Sequence, residues 1–423
     1  MLSRRGSLFR HILLTCVAIA ISSVVGELAP GADAANSKAA VDALEVYLKS
    51  PVGERAAIEQ NDFSRVALSR EDAERAAKLL WEDHAARIRA EREGEMKARE
   101  LQIGELKMKF DVKLFGEKPA SGRSLYISMH GGGNAAARVN DQQWENQKRL
   151  YKLEEGVYVA PRAPTNTWNL WHEAHIDQFF TRLIENLIVF EEVDPNRVYI
   201  LGYSAGGDGV YQLAPRMADQ LAAAAMMAGH PNETSPLGLR NLPFTIHIGG
   251  RDAGYKRNDV AREWEKKLAD LHNADEGGYT HLVRIHEDKP HWMGGEDAEA
   301  LPWMAKFARN PLPNKIVWKQ DDVAHTRFYW LSAAVGDFDD RADVIARKDG
   351  QRIEIEPKGF RKLTIRLCDK LLDLDQPVTI ASGGKSLFQG RANRTIAVLA
   401  KSLAERGDPQ AMFCSEVTAR LGE

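Results

Sequence analysis

Cysteine is scarce in this chain: three in 423 residues, at Cys16, Cys368 and Cys414. So few cannot supply a disulfide framework for this length, and the fold must rest on a large buried core. Charge of one sign is also missing. The formal net charge is −3, which leaves no basic footprint for nucleic acid and no strong field to steer a charged substrate. Internal repeats and low-complexity linkers are absent, and 44% hydrophobic with 28% charged residues is the composition of a soluble globular protein. Long apolar runs are lacking too, with one exception at the N-terminus.

That exception runs from Ile12 to Val25, behind a basic stretch holding Arg4, Arg5 and Arg10. Ala32-Asp33-Ala34 follows as a small-x-small cleavage site, so residues 1–34 read as a signal peptide. The run is short for a membrane span. The expectation is export, periplasmic or secreted, with no stable membrane span after cleavage. Losing three arginines against two acids moves the net charge from −3 to −4. Cys16 leaves with the signal. Cys368 and Cys414 remain, a candidate disulfide in an oxidising compartment, with two buried free thiols as the open alternative.

Residues 35–106 read as an N-terminal helical segment. Ser69-Arg70-Glu71-Asp72 resembles a capping box opening a long charged helix to about Glu100. Along it Ala73, Ala77, Leu80, Trp81, Ala85 and Ile88 recur at helical spacing and form a packing stripe. From residue 107 to 310 strands alternate with helices, as at Ser124–Met129, Val157–Ala160, Val198–Leu201, Phe244–Ile248 and Leu282–Ile285. Such alternation predicts an α/β domain, a mostly parallel sheet with helices on both faces. Pro311-Leu312-Pro313-Asn314 punctuates the chain. Residues 315–423 then read as a small, mainly β C-terminal module. It has a hairpin turning at Asp349-Gly350 and one helix from Thr395 to Arg406.

The chemistry is concentrated where Val198-Tyr199-Ile200-Leu201 runs into Gly202-Tyr203-Ser204-Ala205-Gly206-Gly207. A buried strand ending in G-x-S-x-G and turning into a helix is a nucleophile elbow. The turn is sharp, the glycines let strand and helix pass closely, and the serine hydroxyl is left exposed above the sheet. A serine hydroxyl is a weak nucleophile and needs a base, which itself needs an orienting carboxylate. In this architecture these come from loops after later strands, acid first and histidine second. Asp252 follows the strand Phe244–Ile248, and His291 follows Leu282–Ile285. The candidate triad is Ser204, Asp252 and His291. His286 is the rival base but sits at the strand end, and His230 follows the wrong strand.

Acyl transfer also develops charge on the carbonyl oxygen, which backbone N–H groups must meet. His130-Gly131-Gly132-Gly133 follows the strand whose loop carries that duty. Gly131 or Gly132, with the amide of Ala205, form the expected oxyanion hole. The segment Trp168-Asn169-Leu170-Trp171-His172-Glu173-Ala174-His175 lies past another strand end. Trp168, Trp171 and His172 are therefore candidate pocket walls, together with Tyr203 and Trp292. The His-x-x-His spacing offers no third ligand, and no metal is expected there.

With these residues in hand, residues 107 to 308 resemble an α/β-hydrolase domain. The lead Asp194-Pro195-Asn196-Arg197-Val198-Tyr199 into Gly-Tyr-Ser-Ala-Gly-Gly is similar to two groups. These are secreted esterases of the polyhydroxybutyrate-depolymerase and feruloyl-esterase type, and the catalytic domains of prolyl-oligopeptidase-like peptidases. The resemblance implies a serine hydrolase of carboxylic esters working through an acyl-serine, with no cofactor and a small ester or acylated substrate. A peptidase is the alternative, weakened by the absence of a preceding β-propeller. A non-catalytic scaffold is the third reading. No polymer-binding module is evident. The oligomeric state is not legible.

Overall fold

A computed structural model describes residues 33–422. The expected signal peptide lies almost wholly outside the described residues; its last residue, Ala34, opens a helix capped by the Asp33 side chain. That helix, α1 (Ala34–Lys49), packs on α2 (Arg70–Ala98). Ser69 caps α2, its Oγ accepting from the Asp72 amide at 3.1 Å, as the sequence pattern predicts. The buried stripe runs Ala73, Ala76, Leu80, His84, Ala85, Ile88 and Met96. It is displaced from the expected one because α2 is gripped on two sides and not one. No helix among the described residues is long and apolar enough to cross a membrane.

The central sheet has the spatial order β1-β2-β4-β3-β5-β6-β7-β8. Its strands are β1 (Glu100–Ile103), β2 (Leu106–Phe115), β3 (Arg123–Met129) and β4 (Gly156–Pro161), then β5 (Val193–Tyr203), β6 (Ala223–Met227), β7 (Phe244–Gly249) and β8 (His281–His286). The first three in space pair antiparallel and the rest parallel. β4, β6 and β7 are buried at every position, which requires cover on both faces and explains their unbroken apolar runs. That cover is α3 (Ala137–Leu150), α4 (Ala174–Phe190), α5 (Ala205–Arg216), α6 (Arg257–Ala274) and the short α7 (Ala300–Met304). This is the expected α/β-hydrolase architecture. One detail differs from the sequence pattern: β1 joins the central sheet from before residue 107. After β8 come a 3₁₀ turn at Glu296–Glu299 and α7.

The C-terminal region holds two sheets. One contains β9 (Lys315–Lys319), β12 (Phe338–Asp349), β13 (Arg352–Phe360), β15 (Val378–Ser382) and β16 (Lys385–Gly390). The other contains β10 (Arg327–Phe328), β11 (Leu331–Ser332), β14 (Lys362–Leu367) and β17 (Ser415–Arg420). All pairs are antiparallel except β13 with β15. α8 (Ile396–Arg406) starts at a Thr395 cap and ends at Gly407 with φ 60°, where a left-handed residue closes the helix.

α2 ties the halves together. On one side it packs along α8. On the other its His84 and Arg92 grip Glu185 of α4 at 2.7 and 2.5 Å. A direct seam of buried ions adds to this. Arg309 pairs with Asp408 at 2.6 Å, and Arg406 with Asp219 at 3.0 Å. Both members of the second pair are almost fully buried, so neither charge can turn to water if its partner is lost. Asp219→Ala is expected to destabilise the protein by about 3–5 kcal/mol, because it strands the Arg406 guanidinium. Urea unfolding followed by tryptophan fluorescence measures this. A change below about 1 kcal/mol would show the seam to be solvated.

Candidate active site

β5 delivers the nucleophile candidate. Ser204 follows its last residue at φ 57°, ψ −120°, a conformation an L-residue adopts only when its surroundings hold it there. The hold comes from its amide, which donates to the Met227 carbonyl of β6 at 2.9 Å, and from α5 starting at once. Gly202 and Gly206 are needed because strand and helix nearly touch. A Cβ on Gly202 would lie 2.3 Å from the Gly206 oxygen, and one on Gly206 would lie 2.2 Å from the Met129 oxygen. The hydroxyl is thereby raised above the carboxyl edge of the sheet.

Two loops bring the other groups to it. His291 Nε2 lies 3.0 Å from Ser204 Oγ, and His291 Nδ1 lies 2.6 Å from Asp252 Oδ2. Asp252 is buried, while the imidazole is half-exposed at the mouth. With a carboxylate at Nδ1, that nitrogen carries the proton and Nε2 is left free to accept from the serine. Arg257 approaches the second Asp252 oxygen at 3.8 Å. The rival His286 turns elsewhere, its Nδ1 meeting Glu296 at 3.2 Å. His230 donates its amide to Asp208 at 2.6 Å and holds Asn232, a turn-building role.

Tyr203 fixes the loop that carries the histidine. Its hydroxyl donates to the His291 carbonyl at 2.7 Å and accepts from the Met293 amide at 3.0 Å. Burial pushes this phenol up, so it keeps its proton. Tyr203→Phe removes both bonds and leaves the loop's backbone groups without partners. A fall in kcat of about tenfold with little change in KM is expected, since one such bond is worth about 1.4 kcal/mol of positioning. Steady-state ester kinetics read it, and an unchanged kcat would show the loop to be held by packing alone.

The candidate oxyanion loop is braced from below. His130 is buried and burial pushes its imidazole down to about 3, so it is neutral. The Ala163 amide donates to Nε2 at 3.2 Å, so the proton sits on Nδ1, which donates to the Gly131 carbonyl at 2.6 Å. Gly132 has φ 110°, and a Cβ there would lie 2.2 Å from Asn140 Oδ1. Asn140 accepts from the Gly133 amide at 2.8 Å. Gly131 lies against the serine, where a Cβ would come 3.2 Å from Ser204 Cβ. Ala205 opens α5 and so carries an amide that a helix start leaves free.

The expected pocket walls divide. Tyr203 and Trp292 line a cleft of about 510 Å³ over Ser204 and His291, their rings 5.5 Å apart. Trp168, Trp171 and His172 do not line it. Trp171 is wholly buried and donates its Nε1 to the His130 carbonyl at 2.7 Å, so it braces the His130–Gly133 loop from below and does not line the cleft. His172 is buried, accepts Arg216 at its carbonyl, and meets Trp168 edge-on. Trp168 stands exposed beyond the cleft. The reason is that this segment folds as a turn against Gly133, not as a strand-end loop over the serine. Cys368 and Cys414 are both free thiols, and burial pushes both up.

The opposite wall comes from α3, which sequence reasoning missed: Val139, Gln143, Gln147 and Leu150 face the cleft. The available signal was their 4-4-3 spacing in a run free of glycine and proline. It is weak because the helix is polar on most sides.

Strand order, the strained serine and the acid-then-histidine loop order together define an α/β-hydrolase fold. Residues 154–291 match the family model of the Dienelactone hydrolase family. That stretch runs from just before β4 to the candidate histidine. Among curated proteins no sequence matches. Of solved structures, a thermostable esterase is similar at 20% identity and TM-score 0.39, covering 50% of this chain and 62% of that one. A ferulic acid esterase is similar at 17% identity and TM-score 0.36, covering 49% and 96%. The s-formylglutathione hydrolase of Staphylococcus aureus is similar at 12% identity and TM-score 0.36, covering 49% and 94%. The chain thus spans about three fifths of the length of the thermostable esterase.

Proposed function

We propose that this chain is an exported serine hydrolase that cleaves carboxylic esters through an acyl-serine intermediate. The observation that carries the reading is the unbroken run of contacts from Ser204 Oγ through His291 to Asp252, at 3.0 and 2.6 Å. In the first step Oγ attacks the ester carbonyl carbon while its proton passes to His291 Nε2. Asp252 holds the opposite nitrogen's proton and stabilises the imidazolium so formed. The carbonyl oxygen takes the negative charge between the amides of Ala205 and Gly131 or Gly132. Collapse expels the alcohol, which takes the proton from Nε2. Water then repeats the sequence and frees the acid.

The cleft favours an apolar or aromatic group beside the scissile bond, with Val139, Leu150, Tyr203 and Trp292 on its walls and Gln143 and Asn146 as amide contacts. Export rests on the basic n-region, the apolar run and the cleavage site. A fluorophosphonate probe followed by an acetyl, feruloyl, long-acyl and aminoacyl substrate panel tests the proposal. Labelling at Ser204 with ester turnover supports it. A protein that resists labelling, or that cleaves aminoacyl amides as fast as esters, sinks it.

A further inference from the structure

Away from the serine, the far end of the sheet brings together three groups that the esterase mechanism leaves unused. His247 lies on β7, His286 closes β8 beside it, and Glu299 ends the 3₁₀ turn that follows the candidate histidine's loop. The two imidazoles lie 5.7 Å apart between centroids and nearly parallel. One ligand atom from each of the three residues can be chosen so that all lie within 4.8 Å of one another.

Hydrogen bonds decide which nitrogen of each ring carries a lone pair. Thr245 Oγ1 donates its one proton to the Leu282 carbonyl at 2.9 Å, so it must accept from His247 Nε2 at 3.0 Å. His247 Nδ1 is then an unprotonated acceptor. It is wholly buried, has no hydrogen-bond partner among the described residues, and lies 3.7 Å from Glu299 Oε1. His286 follows the same logic. Its Nδ1 faces the Glu296 carboxylate at 3.2 Å, so the proton sits there, and Nε2 is a buried lone pair without a partner. Glu296 is itself held by Lys289 at 2.6 Å. A buried lone pair turned toward a carboxylate is repulsive unless a cation lies between them. Arg284 Nε approaches Glu299 Oε1 at 3.4 Å, but it makes no bond to either imidazole nitrogen.

We propose that His247 Nδ1, His286 Nε2 and the Glu299 carboxylate bind one divalent transition-metal ion, with Zn²⁺ the best match to two imidazoles and a carboxylate. Thr245 and Glu296 act as the outer partners that orient the two rings, the usual support for a metal-bound histidine. Tetrahedral zinc with bonds of about 2.1 Å places its ligand atoms roughly 3.4 Å apart. The donors must therefore close by up to about 1.4 Å, and Glu299, half-exposed on its short turn, has the most room to move. The fourth position faces outward and takes water. No bond to substrate is involved. The ion joins the ends of β7 and β8, the strands whose loops carry Asp252 and His291, and so acts as a staple behind the acid and the base.

The test uses the purified protein, stripped with a chelator and dialysed. Calorimetric titration with Zn²⁺ is expected to show one equivalent bound, with the thermal midpoint rising by several degrees. Mg²⁺ and Ca²⁺, which prefer oxygen ligands, are expected to do neither. Glu299→Gln keeps the side chain's size at a half-exposed position and is expected to weaken binding at least tenfold. His286→Gln is expected to abolish both the binding and the thermal shift. Failure to bind an equivalent, or equal affinity in both variants, overturns the proposal; in the second case the ion sits on other histidines, such as His272 and His281. Ester hydrolysis is a separate readout, so loss of zinc binding and loss of the serine chemistry are distinguishable.

Discussion

Ser204→Ala is expected to lower kcat/KM for a short-chain p-nitrophenyl ester by about 10⁵- to 10⁶-fold. The size follows from what is removed. The hydroxyl is the only group at the elbow that can form the acyl bond, and His291 Nε2 at 3.0 Å then has no nucleophile to activate. Removing the serine spares the fold, because among the described residues its side chain bonds only His291, and the strained backbone is held by its amide and the start of α5. Unfolding midpoints should therefore agree closely between wild type and variant. A residual rate of about 10³-fold over water is expected from the oxyanion amides acting on bound ester. Retention of more than about a hundredth of the activity in a folded variant would falsify the assignment of the nucleophile.

Asp252→Asn is expected to lower kcat by about 10⁴-fold with KM little changed. The substitution preserves shape in a buried site where Asp252 is 4% exposed. What changes is the proton. An amide can present its NH₂ to His291 Nδ1, which drives the ring's own proton onto Nε2, and a protonated Nε2 cannot take one from Ser204. The imidazolium formed during attack also loses the negative charge 2.6 Å away. If Asp252 were merely a turn residue, asparagine would serve as well, since both suit turns. Near-normal kinetics in Asp252→Asn would assign it that role. Slow labelling by fluorophosphonate alongside slow turnover is the outcome expected here.

The elbow was legible in the chain because every part of it is contiguous: a strand, two glycines that permit close approach, a serine and a helix start. The loops bearing Asp252 and His291 could be placed in order because each follows a recognisable strand, fully buried in β7 and half-buried in the edge strand β8. α3 was not legible in the same way. Its cleft-facing residues include two glutamines, so the apolar periodicity that marks a core helix is diluted. Trp171 shows the opposite difficulty. An aromatic residue past a strand end reads as a pocket wall, yet its indole N–H was needed by the buried His130 carbonyl, and this contact joins residues 41 apart.

The amino-acid sequence by itself determined the alternation of strands and helices and the elbow with its candidate serine, because these depend on local propensity and short-range sterics. Only the tertiary structure decided which side chains line the cleft and which brace it. It also decided which imidazole nitrogens keep lone pairs at His247 and His286. Those outcomes depend on burial and on hydrogen-bond partners from distant strands, and no local pattern carries that information.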